Sequence, residues 1–230
     1  MSIFFDTNDW QKALSGWWLK RNEYSSLKLN KFLFLYEATI NSLGEKTNFS
    51  NLLGFKNGPV YEYIWNELQD VRKRIVKIKD FQNDCENVYN NHINDVNEEV
   101  AERISFIVKS LTGNELSEIT HEFNIRKNKE KEILNNPFLK LSKNDFNDND
   151  KKLIKELYDL YPLELVKKSM IINFNKSEFY FIFPRDKYNE MFVSGELHDL
   201  ENKLKEIKYN KKVHNPIFVD IDEEGDIIFD

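Results

Sequence analysis

Eight consecutive residues, Leu29-Asn30-Lys31-Phe32-Leu33-Phe34-Leu35-Tyr36, carry six apolar side chains spread over most of a helix circumference. A helix that is apolar on most sides cannot rest on a surface; other elements must surround it. The run therefore predicts the central helix of an all-α domain over residues 26–43. Leu27 and Ile40 extend its apolar face, and Gly44 ends it.

The flanking sequence supplies helices to wrap it. Trp10, Ala13, Leu14, Trp17 and Trp18 keep helical spacing, so residues 10–19 read as a short helix with its tryptophans in the core. Asn57-Gly58-Pro59 reads as a turn feeding a helix over 59–78. Pro59 would sit in the first turn, where its missing N–H is harmless. Val60, Ile64, Leu68, Val71, Ile75 and Ile78 make the stripe. Residues 80–94 are rich in Asn and Asp and read as a loop. Further helices are expected from about 95 to 109, across Glu115–His121, and from about 149 to 160, where Tyr161-Pro162 stops the last one.

Beyond residue 163 the pattern changes. Met170–Phe174 and Glu178–Phe183 read as strands of a hairpin turned by Asn175-Lys176-Ser177. A helix is expected over 196–207. Pro216–Ile221 and Asp226–Phe229 read as two more strands joined by Glu223-Glu224-Gly225. The expected fold is mainly α: a helical N-terminal domain over 1–162, with a small α+β C-terminal appendage over 163–230.

Chemistry is sparse. The four histidines, His92, His121, His198 and His214, do not share a helix face, and Cys85 is the sole cysteine. No disulfide, no metal site and no cofactor are expected from such a set. Cys85 lies among polar residues with no basic neighbour, which predicts an inert thiol. The chain lacks a Gly-rich phosphate loop and a Gly-x-Ser-x-Gly elbow. The cluster Asp220, Asp222, Glu223, Glu224 and Asp226 lacks a helix–loop–helix setting for calcium and reads as a hairpin turn. His121 reads as a helix-end residue tying down Thr120 or nearby carbonyls. No catalytic residue is assigned, and an enzyme is not expected.

The 33 basic and 39 acidic residues give a net charge of −6, which does not favour a broad phosphate-tracking surface. Two local basic segments, Arg72–Lys79 and Arg126–Lys131, leave weak nucleic-acid contact as the alternative, with a transcriptional regulator as its function. The N-terminal residues do not form a signal peptide, and apolar runs are too short to span a bilayer. A cytoplasmic protein without membrane contact is the default expectation.

Three ordered segments resemble the Panacea domain, the SocA-like antitoxin domain. Leu27–Tyr36 resembles the family's Leu-x-Lys-Leu-Leu-Tyr-like helix. Phe55-Lys56-Asn57-Gly58-Pro59-Val60-Tyr61 resembles its Tyr-Gly-Pro-Val signature, with Asn57 where an aromatic residue is common. Leu111–His121 resembles its Leu-Ser-x-x-Thr-His segment, though no tryptophan-bearing stretch follows His121. The resemblance covers roughly residues 5–160. It implies a helical domain that neutralises a cognate protein toxin by direct binding, often in phage or prophage settings, and it supplies no catalytic residues. By this reading the partner-binding candidates are Gly58, Pro59, Val60, Tyr61, Tyr63, Trp65, Arg72, Thr120 and His121, with exposed aromatics and arginine as anchors.

Overall fold

The computed structural model describes residues 4–136, 138–173, 178–195, 202, 214–222 and 227–229. The chain divides into two compact units: residues 1–108 with 113–160, and residues 109–112 with 161–230. The protein is mainly α with a small α+β part.

In the first unit the elements run α1 (Asp9–Leu19), α2 (Ser26–Ser42), β1 (Leu52–Phe55), β2 (Gly58–Tyr61), α3 (Glu62–Arg72), α4 (Ile78–Asn91), α5 (Glu98–Lys109), α6 (Gly113–Glu122), α7 (Asn124–Lys127), α8 (Glu130–Asn135), β3 (Leu139–Lys140) and α9 (Asp148–Asp159). Helix α2 is the centre, as its sequence demands: every residue from Leu29 to Ile40 is buried. Its start is fixed by the Ser25 side chain, which accepts the Lys28 N–H. Trp17 and Trp18 pack on Phe32, with ring centroids 5.5 and 4.9 Å apart. Trp10 meets Tyr61 edge-on at 4.8 Å.

Three expectations need correction. Residues 58–61 form a strand rather than the first turn of a helix. β1 and β2 pair as a tight antiparallel hairpin with Phe55 opposite Gly58, so Lys56-Asn57 make the turn. The strand order is β2-β1-β3, so Pro59 lies on an edge strand, where a missing N–H breaks no ladder. Secondly, α3 ends at Arg72, because Arg74 takes a left-handed φ of 61°. Thirdly, the Asn-rich stretch is helix α4. Phe81, Cys85 and Tyr89, four residues apart, are its buried stripe, and packing overrides the weak helix propensity of Asn and Asp. At its crossing with α1, a Cβ on Gly16 would collide with the Cys85 backbone. Cys85 is buried there, and burial pushes its thiol up to about 12, consistent with an inert group.

Helix α9 begins with a reciprocal cap. Asn147 accepts N–H groups from Asn149 and Asp150, and Asp150 accepts from Asn147. Asp150 also accepts the N–H groups of Asn124 and Ile125, which fixes the start of α7.

The second unit contains α10 (Leu163–Lys168), β4 (Ser169–Ile172), β5 (Phe181–Pro184), α11 (Arg185–Ser194), β6 (Ile217–Ile221) and β7 (Ile227–Phe229). β4 and β5 pair antiparallel, as the expected hairpin requires, and β6 pairs antiparallel with β7. β6 joins β5 in parallel, giving the order β4-β5-β6-β7. Ile172, Phe181, Phe183, Ile217 and Val219 form its core. Helix α11 has no counterpart in the sequence reading. The expected turns at 175–177 and 223–225 and the expected helix over 196–207 fall outside the described residues, apart from Asn202.

Candidate functional site

Helix α2 buries two polar side chains of opposite charge, and they lie in different surroundings. Glu37 faces the hairpin. Its carboxylate accepts the Tyr61 hydroxyl and the N–H groups of Phe49 (2.8 Å) and Asn48 (3.2 Å). Burial pushes Glu37 up to about 7, and these donors oppose the rise. Phe49 holds a left-handed φ of 51°, so the carboxylate pins a strained loop.

Lys31, 2% exposed, lies at the other end of the buried run. Its Nζ donates to the Asn57 carbonyl and to Thr120 Oγ1, the latter at 2.7 Å. Thr120 Oγ1 in turn donates to the Leu116 carbonyl at 3.0 Å. Gly58 sits against both groups with φ 102°, and a Cβ there would overlap Lys31 Nζ and Thr120 Oγ1. Glycine is therefore required twice, by backbone conformation and by close approach.

Arg126, also 2% exposed, closes the cluster. It donates to the carbonyls of Phe55 (3.4 Å) and Lys56 (3.2 Å), and its ion pair with Glu130 is long at 3.5 Å. Burial, then the Arg126 charge, pulls Lys31 down to about 7. Among the described residues Lys31 has no ion-pair partner. Burial and the charges of Arg126 and Lys31 also hold His121 below the ordinary histidine range. The buried Nε2 of His121 has no hydrogen-bond partner in the described structure.

A groove of about 280 Å³ opens beside this cluster, between α2, the hairpin turn and α3. Leu27, Val60, Trp65 and Leu68 give it apolar walls, and Lys31, Lys56 and Arg72 line it with positive charge. Among the described residues no carboxylate lines it. Asn30, 4% exposed, also lines it; its Nδ2 donates to Ser26 O at 2.8 Å, while Oδ1 is buried without a partner. Trp65 continues into an aromatic group with Phe55 (5.2 Å) and Phe138 (5.9 Å), and Phe138 is 56% exposed.

The residues expected to contact a partner separate into two sets. Gly58, Val60, Trp65 and Arg72 line the groove, whereas His121 lies close to Arg126 and Lys31 and is not among the lining residues. Pro59 is buried in β2. Tyr61 and Thr120 are corrections: both are fully buried, and their hydroxyls serve Glu37 and Lys31 rather than a surface. Tyr63 lies under the Lys12 ammonium, 5.4 Å from its ring centroid. The basic segment 126–131 is partly occupied within the fold. Arg126 is internal, Lys127 pairs with Glu122 at 2.6 Å and Lys129 with Asp145 at 2.9 Å.

Asn30, Lys31 and the inward role of Arg126 escaped the sequence reading. The available signal was the interruption itself: Asn and Lys inside an apolar run on a central helix must be buried polar groups, and buried polar groups need partners.

This geometry defines a class: a mainly helical domain with an apolar, cationic groove at the junction of its central helix and a hairpin. No cluster of potential metal ligands occurs among the described residues, and none of their helices is long and apolar enough to cross a membrane. The family model described as antitoxin SocA-like, Panacea domain, matches residues 29–126, a span that holds Lys31, the hairpin, Thr120 and Arg126. That is not a typical enzyme family. No curated protein and no solved structure matches the chain.

Proposed function

We propose that this protein is a cytoplasmic antitoxin that neutralises a cognate protein toxin by direct binding, without catalysing a reaction. The family match over residues 29–126 carries the reading. Its support in the geometry is that the resembling segments converge: Lys31 from the first, Gly58 from the second and Thr120 from the third meet at one point. Such a buried junction fixes the shape of the groove beside it, and preformed surfaces lose little entropy on binding.

The test is co-expression with the product of a neighbouring reading frame that is toxic alone. Restored growth and co-purification of the two chains are expected. Absence of both rescue and binding overturns the proposal.

A second reading retains one observation. Arg72, Lys73, Arg74, Lys77 and Lys79 have no ion-pair partners among the described residues, and all but the groove-lining Arg72 stand clear of the site. Weak nucleic-acid contact through this run predicts a salt-sensitive mobility shift with promoter DNA. Equal lack of retention with specific and unrelated DNA at low salt removes it.

A further inference from the structure

We infer that the groove between α2, the β1–β2 turn and α3 receives an acidic, aliphatic peptide segment of the partner protein, one carboxylate of which is held by Lys31 and Arg72. The inference rests on the antitoxin reading for the identity of that partner.

Three independent observations point to this occupant. The first is charge. Lys31, Lys56 and Arg72 line one small groove, no carboxylate lines it, and none of the three has an ion-pair partner among the described residues. A buried ammonium without a counter-ion is costly, and an anion seated beside it removes much of that cost. Lys31 has acceptors but no anion, and Arg126 behind it adds repulsion. A partner carboxylate is the missing member of the set.

The second is the orphan acceptor. Asn30 is one of the groove-lining residues, and its Oδ1 is buried with no donor among the described residues. Its orientation is fixed by the Nδ2–Ser26 hydrogen bond. Fully deprotonated anions such as chloride and sulfate offer it no donor, whereas a peptide supplies a backbone N–H. An acceptor and a cation together therefore select a carboxylate carried on an amide backbone.

The third is size and lining. About 280 Å³ is just below the range of small-molecule pockets and accommodates one or two side chains. Leu27, Val60 and Leu68 suit an aliphatic neighbour of the acidic residue, and Trp65 with Phe138 continues the apolar surface outward.

The probes are fluorescein-labelled ten-residue peptides alternating Leu with Glu, Leu with Gln, or Leu with Lys, and a ten-nucleotide single-stranded DNA. Anisotropy is followed with the full chain at low and physiological salt. The Glu peptide is expected to bind about ten-fold or more tightly than the Gln peptide, and the Lys peptide least of all. Arg72→Glu changes an exposed side chain and Asn30→Asp places a negative charge in the groove. Each is expected to weaken the Glu peptide about ten-fold while leaving the Gln peptide unchanged. Arg72→Glu keeps the test decisive if Asn30→Asp fails to fold.

Equal binding of the Glu and Gln peptides overturns the inference. So does absence of Glu-peptide binding, or binding that Arg72→Glu leaves intact. DNA binding that excludes the Glu peptide, and is lost in the same variant, reassigns the groove to a polyanion and overturns it too. The same variants are then co-expressed with the toxic neighbour. If they still neutralise and retain it as the wild type does, the groove inference fails and the antitoxin reading stands. If the wild type itself retains no toxin, the antitoxin reading fails, and the peptide series still decides what the groove accepts.

Discussion

Glu37 and Lys31 are six residues apart on one helix, and both are buried. Glu37 is surrounded by donors: one hydroxyl and two backbone N–H groups converge on it. Lys31 has two acceptors, no counter-ion among the described residues, and another buried cation close by. The first arrangement is closed and holds the fold together. The second is incomplete and opens onto a groove. Burial alone does not distinguish these two charges; completeness of the surrounding partners does.

The sharpest way to break this comparison is Glu37→Leu. Removing the carboxylate strands the Tyr61 hydroxyl and the Phe49 and Asn48 N–H groups, so a loss of roughly 4 kcal/mol is expected in urea unfolding. A loss under about 1 kcal/mol would show that the network is not structural. Gly58→Ala comes next. The new methyl group needs a positive φ and overlaps Lys31 Nζ, so roughly 2–3 kcal/mol is expected to be lost. Wild-type stability after this change would mean that the hairpin can move away from α2.

Lys31→Met is expected to be near neutral, within about 1 kcal/mol, because it removes a buried ammonium that has no counter-ion. It is also expected to abolish preference for the Glu peptide. A stability loss comparable with that of Glu37→Leu would place Lys31 in the structural class instead.

The two groups also differ in how pH acts on them. Glu37 titrates higher in the folded chain than in the unfolded one, near 7 against 4.5, so its contribution falls as pH rises from 4.5 to 7. Lys31 titrates lower when folded, near 7 against 10.5, so its contribution rises as pH rises from 7 to 10.5. Tyr61 and the Asn48 and Phe49 N–H groups face Glu37. Lys31 meets Thr120 and the Asn57 carbonyl directly; Arg126, paired with Glu130, and His121 complete its charged surroundings. Melting temperature is expected to show a trough near neutrality, with Glu37→Gln flattening its acid limb and Lys31→Met its alkaline limb. A flat wild-type profile contradicts this assignment. The smallest effect belongs to Arg72→Ala, within about 0.5 kcal/mol of wild type, because Arg72 is exposed and has no ion-pair partner among the described residues.

Much of the helical framework was legible because periodicity reports burial directly. Leu29–Tyr36 demanded a central helix, and Trp10–Trp18 demanded a packed one. The hairpin was misread because Asn-Gly-Pro serves both a helix start and a tight strand turn, and only the pairing partner β1 distinguishes them. Helix α4 was misread for a related reason: its stripe of Phe81, Cys85 and Tyr89 is thin, and the surface of α1 makes it sufficient. Within the site, the aromatic and arginine anchors were half legible. Trp65 and Arg72 reach the groove, whereas Tyr61 was taken by a carboxylate 24 positions away.

By itself the sequence determined that residues 29–36 lie inside a helical domain, since no other arrangement hides that many apolar side chains. It also determined that Gly58 and Thr120 stand in segments of one recognisable type. The tertiary structure decided which polar atoms inside that domain are complete and which are waiting. Partners such as Lys31, Asn57, Thr120 and Arg126 are distant in the chain, and chain order carries no record of the distances between them.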